Sequence, residues 1–110
     1  MKKTWRIVEN HRPRMNDGVH LYKEDDCYSI YRYIDDWDEE GDTICDEEEY
    51  LSGIPEQELK TAIRTTTDSE VVSWIKKHLI KERSNSLDAI VVFLEEHNVR
   101  YSSNRSIYPF

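Results

Sequence analysis

Cysteine, glycine and proline are scarce: the 110 residues contain two, three and three of them. Two cysteines, Cys27 and Cys45, are too few for a disulfide framework, so each is expected to be a free thiol packed as a small hydrophobe. Three glycines leave no glycine-rich loop to cradle a phosphate. No Gly/Ser-rich or Pro-rich linker and no internal repeat divides the chain, so one domain spanning residues 1–110 is expected. No apolar run approaches the roughly 20 residues of a membrane span, and no membrane partner is expected. Met1-Lys2-Lys3 leads into a polar, strand-like stretch rather than an apolar leader, which points to a cytoplasmic location.

Positive charge is nearly missing from one third of the sequence. Residues 1–23 carry six basic and two acidic side chains, and residues 59–110 carry eight and six. Residues 24–58 carry a single basic one, Arg32, against fifteen acidic, a net of −14. The whole chain is therefore at 15 − 23 = −8, with nearly all the imbalance in the segment 24–58. Within Asp35–Glu49 ten of fifteen residues are acidic. Such a balance repels phosphates, so direct binding of nucleic acid is not expected. Neighbouring like charges repel by roughly 1 kcal/mol per pair in water, so a density of this kind marks either a solvated segment or a surface kept for a basic partner.

What is plentiful is aromatic: three Trp, seven Tyr and two Phe. They can supply a core, which argues against disorder. The first half reads as strands. Lys3–Asn10 alternates, with Trp5 and Ile7 on one face. Asn10–Gly18 reads as a loop broken by Pro13 and the Asp17-Gly18 turn pair. Val19–Lys23 alternates again, and Glu24-Asp25-Asp26 is a turn. Cys27–Ile34 is the strongest strand, with Tyr28, Ile30, Arg32 and Ile34 on one face and Cys27, Ser29, Tyr31 and Tyr33 on the other. Thr43–Cys45 reads as a short return strand.

The second half reads as helical. Asp46 and Glu49 make a capping pair for a short helix that turns Tyr50 and Leu51 inward and is ended by Gly53. Pro55 opens a second helix with Leu59, Ala62 and Ile63 as its stripe. Thr67-x-x-Glu70 caps a third, with Val71, Val72, Ile75 and Leu79 at helical spacing. Ser86 caps a fourth carrying Leu87, Ile90, Val91 and Leu94, which ends at His97-Asn98. Val99–Ser102 reads as a strand that rejoins the sheet, and Ile107–Phe110 as an apolar tail. The expected fold is α+β: a small N-terminal antiparallel sheet of three to four strands packed by about three C-terminal helices.

Several chemistries compete for these residues. Asp36-x-Asp38-x-Glu40-Gly41, with Glu47 at the twelfth place, resembles a calcium loop. Against it, Glu40 is one carbon longer than the Asp or Asn preferred there, Thr43 stands where an apolar residue belongs, and a strand precedes the loop where a helix should. Zinc needs closely spaced ligands, and Cys27/Cys45 and His78/His97 lie eighteen and nineteen apart. A Cys–His pair from Cys27 or Cys45 with His11, His20, His78 or His97 has nothing in sequence to assemble it, and acidic neighbours oppose a thiolate. Glu58-x-Lys60 with Asp46 echoes a nuclease on a chain that would repel the substrate. No cofactor and no enzymatic activity are expected.

The leading expectation is a non-enzymatic acidic binding protein that engages a basic protein surface. A nuclease or other nucleic-acid-binding protein fits best, because spaced carboxylates can occupy sites meant for phosphates. Phage anti-restriction and anti-CRISPR proteins, nuclease inhibitors and immunity proteins work on this logic. The contact residues expected are Asp35, Asp36, Trp37, Asp38, Glu39, Glu40 and Asp42, with Glu47, Glu48 and Glu49 as a second patch and Tyr31 and Tyr33 as aromatic anchors. Tyr28 is assigned to the core. The alternatives are a calcium module built on Asp36, Asp38, Glu40 and Glu47, and a structural or regulatory subunit that interacts through its helices.

Overall fold

Strand β1 (Lys3–Arg12) and strand β2 (Met15–Glu24) form a hairpin about Pro13 and Arg14, with Arg14 in the left-handed region. This computed structural model describes residues 1–108. Strand β3 (Cys27–Trp37) follows a two-residue turn at Asp25-Asp26, and strand β4 (Thr43–Pro55) follows the turn 38–42. Helices α1 (Glu56–Ile63), α2 (Asp68–His78) and α3 (Asp88–Glu96) come next, and strand β5 (Ser102–Tyr108) closes the order. The five strands lie in sequence order, every neighbouring pair antiparallel. The helices form a layer on one face of this sheet, so the fold is α+β.

The sheet has five strands, not the expected three to four. Thr43–Pro55 is one continuous strand rather than a short strand followed by a helix. The Asp46/Glu49 capping pair therefore caps nothing. Cys45, Glu47, Glu49 and Leu51 lie on the helix-facing side, and Asp46, Glu48 and Tyr50 on the other. Gly53, expected to end a helix, sits at φ 64 in a bulge between the Leu51 and Ile54 pairings with β3. The expected loop 10–18 is also strand except at Pro13-Arg14, and Asp17 and Gly18 lie inside β2. The last strand runs over Ser102–Tyr108 instead of Val99–Ser102. Val99 is buried just beyond α3, its amide bonded to Leu94. Of the expected apolar tail, residues 109–110 lie outside the described part.

The alternation read in β3 is what the fold uses. Tyr28, Ile30, Arg32 and Ile34 are buried, and the residues between them are half-buried on the opposite face. Tyr28 and Ile30 join Val19, Leu21, Leu51 and Ile54 from the sheet and Leu59, Val71, Ile75, Ile90 and Leu94 from the helices in one core. Thr67 caps α2 as expected, its hydroxyl accepting from the Glu70 amide at 3.2 Å. Ser86 accepts from the Asp88 amide at 3.2 Å.

Two polar clusters clamp the layers together. Arg32, 6% exposed, donates to the carbonyls of Ser84 (3.0 Å) and Arg83 (3.4 Å) and to Glu47 (3.0 Å). At the other end of the sheet, Lys23 and Lys60 each lie 2.5 Å from Glu56 and 3.3–3.4 Å from Asp68, which also accepts from the Tyr28 hydroxyl at 2.5 Å. No helix among the described residues is long and apolar enough to cross a membrane.

Candidate functional site

The helices cover one face of the sheet, and the other is left open. Antiparallel register places paired residues on the same face, so the rows of this open face follow from the pairings. One row is Arg6, His20, Tyr31, Tyr50 and Asn104. The next is Glu9, Gly18, Tyr33, Glu48 and Ser106. A third holds His11, Asn16, Asp35 and Asp46. Aromatic rings thus grade into carboxylates along β3 and β4 towards the 38–42 turn.

The rings form a continuous group. Tyr31 stacks on Tyr50 at 4.5 Å between centroids and on Tyr33 at 5.7 Å. His20 meets Tyr22, Tyr31 and Tyr33 edge-on at 5.7–6.2 Å. The Tyr31 hydroxyl donates to Glu48 at 3.1 Å, and the Tyr33 hydroxyl reaches Glu9 at 3.5 Å. Burial first, then the Glu48 carboxylate, pushes the Tyr31 hydroxyl well above its ordinary pKa. Tyr33 and Tyr50 shift the same way for the same leading reason. All three remain protonated hydrogen-bond donors near neutral pH. His20 Nε2 is buried without a hydrogen-bond partner, 3.5 Å from Glu9 Oε1.

Gly18 makes the Tyr33 position possible. A Cβ there would lie 2.7 Å from the Val8 carbonyl oxygen and 2.8–2.9 Å from the Tyr33 ring and hydroxyl. The Gly18→Ala substitution is expected to cost about 1–3 kcal/mol and to displace Tyr33 from its stack. A urea midpoint indistinguishable from wild type would contradict this contact.

The carboxylates fall into three groups. Asp35 and Glu48 share the open face with Tyr31 and Tyr33. Asp35 stands directly opposite Asp46, and among the described residues neither has a basic partner. The second group is the turn. Asp38 accepts from the amides of Glu40 (3.0 Å) and Asp42 (2.9 Å), and so spends its carboxylate on closing the loop. Glu39 pairs with Arg14 at 3.3 Å, so the basic N-terminal segment does fold back onto the acids at one point. Trp37, expected as a contact residue, is half-buried, with its amide bonded to Arg14 O at 3.0 Å. It lines a shallow hollow with Pro13, Arg14, Met15 and Ile44.

The third group faces the helices. Asp36 pairs with Cys45 on that side. Glu47 accepts from Arg32 at 3.0 Å and from Arg105 at 2.7 Å. Burial opposes its charge, but the two guanidinium groups outweigh this and hold it below the usual carboxylate range. Glu49 lies opposite Arg32 and Arg105, and burial raises its pKa more than they lower it. Glu47 therefore neutralises the protein's own arginines, Glu49 faces them from the same side, and neither is part of one patch with Glu48.

The other chemistries do not assemble. Asp36, Asp38, Glu40 and Glu47 belong to a β-hairpin rather than a helix-flanked loop, with Asp38 and Glu47 already engaged. Among the described residues no three His, Cys, Asp or Glu side chains converge as a metal requires. Burial, then Glu47, Asp36 and Asp46, pushes the Cys45 thiol up, away from a nucleophile. Glu58 is held by Arg100 at 2.5–2.8 Å and Lys60 by Glu56 and Asp68, while Asp46 lies near the far end of β4.

No family model, curated protein or solved structure matches this chain. The site rests on its own geometry. Sequence reasoning put His20 and Tyr22 on the face opposite Val19 and Leu21 but did not name them, or Asp46, as site residues, and it took Tyr50 as inward-facing on a helix. The alternation Asp46, Glu48, Tyr50 against Glu47, Glu49, Leu51 was the signal available for β4.

Proposed function

We propose that this chain is a non-enzymatic, cytoplasmic binding protein whose open sheet face and acidic hairpin engage a basic protein surface, one that ordinarily holds nucleic acid. The observation that carries this reading is the pairing of Asp35 with Asp46. Like charges directly opposed across an antiparallel pair destabilise it, by a few tenths to about 1 kcal/mol. No basic side chain among the described residues relieves them. Neighbouring strands lie about 4.8 Å apart, and residues two apart on a strand about 6.8 Å. Asp35, Asp46 and Glu48 therefore form a rigid grid of negative charge, spaced on the scale of successive phosphates. The tyrosines beside it supply the rigid aromatic contact that slows dissociation. The action this supports is occlusion of a nucleic-acid site, in the manner of nuclease inhibitors, anti-restriction and anti-CRISPR proteins.

The test is affinity capture from cell lysate with wild type beside an Asp35→Asn, Asp46→Asn, Glu48→Gln variant. The variant is expected to melt at or slightly above the wild-type midpoint and to lose a basic nucleic-acid-binding partner that wild type retains. Capture of the same partner by both would refute the reading. That result would move the interface to the helical layer, where Val92 is 52% exposed beside the Trp74–Phe93–His97 cluster.

A further inference from the structure

The open face carries more than charge, and its aromatic part narrows the chemistry of the partner. Tyr33, Tyr31 and Tyr50 form one stack, and Tyr50, 39% exposed, ends it. Glu48 is fixed beside that stack by the Tyr31 hydroxyl at 3.1 Å, with one carboxylate oxygen left over. Beyond it along the strands come Asp35 and Asp46. The face already holds a cation of its own: Lys2 Nζ lies 4.5 Å from the centroid of the Tyr22 ring.

We infer that this face binds an extended, arginine-bearing segment of a partner protein, with one guanidinium added to the end of the tyrosine stack and others on Glu48 and the Asp35–Asp46 pair. This rests on the acidic-surface reading above and specifies which basic groups it takes. Two features select arginine over lysine. A guanidinium is planar, so it can continue a ring stack, and its fork of N–H donors matches a carboxylate. An ammonium is a point charge that does neither. The period also matches: alternate side chains of an extended segment recur about every 6.8 Å, as do the rows Tyr50, Glu48 and Asp46 along β4. Charge complementarity is local, since the acids remaining unpaired on this face are the ones that adjoin the rings.

The experiment uses two nine-residue peptides of equal charge, one with arginine and one with lysine at alternate positions. Each is titrated by fluorescence anisotropy at low salt into the full chain. The arginine peptide is expected to bind at least about fivefold tighter. Tyr50→Leu should reduce that preference to the part the carboxylates supply, and Tyr50→Phe should keep it whole. Tyr50 lies outside the core, and a melt confirms that both variants fold. Equal affinity for the two peptides, reduced together by Asp35→Asn, Asp46→Asn and Glu48→Gln, would overturn the arginine inference and leave the acidic surface standing. Affinities unchanged by those three substitutions, or no binding of either peptide, would overturn both.

Discussion

Arg32→Met is expected to lower stability by about 3 kcal/mol and the melting midpoint by on the order of 12 °C. Arg32 is the only basic residue in the acidic third, and it is buried under the turn that precedes α3. Its removal leaves the Ser84 and Arg83 carbonyls without their donor and takes from Glu47 one of its two guanidinium partners. Half-buried Glu49 also loses the positive charge opposite it on β3. A buried ion pair broken from one side is costly, whereas removing both partners is nearly neutral. The Arg32→Met, Glu47→Leu double variant should therefore recover much of the loss. Equal stability of Arg32→Met and wild type would show that the arginine is not what holds the acidic hairpin to the helical layer.

The second large effect lies at the opposite end of the sheet. Asp68→Ala is expected to cost about 2–3 kcal/mol at pH 7, because it orphans the Tyr28 hydroxyl and leaves Lys23 and Lys60 sharing Glu56 alone. Burial opposes the Asp68 charge, but the Tyr28 hydroxyl and the two ammonium groups together outweigh it and hold its pKa below the ordinary value. Glu56 is depressed directly by Lys23 and then Lys60. Both folded-state values lie below the unfolded ones. Their contribution is thus complete above about pH 5 and is lost as the pH falls through the folded-state values. Lys23 and Lys60 are raised, foremost by Glu56, so their contribution is complete below their ordinary value and disappears only in strong alkali. The gap between wild type and Asp68→Ala should be flat from pH 5 to 9 and close in acid. Asp68→Asn, which keeps an acceptor for Tyr28, should fall between the two. A gap that persists undiminished in acid would show that the carboxylate charge contributes nothing.

Where sequence and structure agree, the cause is local. The alternation of Tyr28, Ile30, Arg32 and Ile34 has the two-residue period of a half-buried strand, and Thr67 with its neighbours carries a complete helix start. Where they differ, the cause is distant. Asp46–Tyr50 is a poor strand by propensity and resembles a helix cap, yet it is strand. The guanidinium groups that let its acids sit in a sheet come from Arg32 and Arg105, 15 and 58 residues from Glu47. No local window contains both. The last strand was expected too early, at Val99–Ser102 rather than Ser102–Tyr108, because an edge strand needs little apolar content, and the more apolar Val99 nearby is a helix-end contact instead. For the site, the acidic and aromatic residue types were legible, and so were the faces of β3. Which acids are free was not, because that depends on the faces of β4. One slip of register there exchanges Asp46 and Glu48 for Glu47 and Glu49.

Occupation of a nucleic-acid site is tested by competition: the captured basic partner, saturated with fluorescently labelled chain, is titrated with duplex and single-stranded DNA. Under the proposed function nucleic acid displaces the chain completely, with a midpoint that rises in proportion to the chain present. A ternary complex, in which the partner binds nucleic acid and keeps the chain, would contradict it.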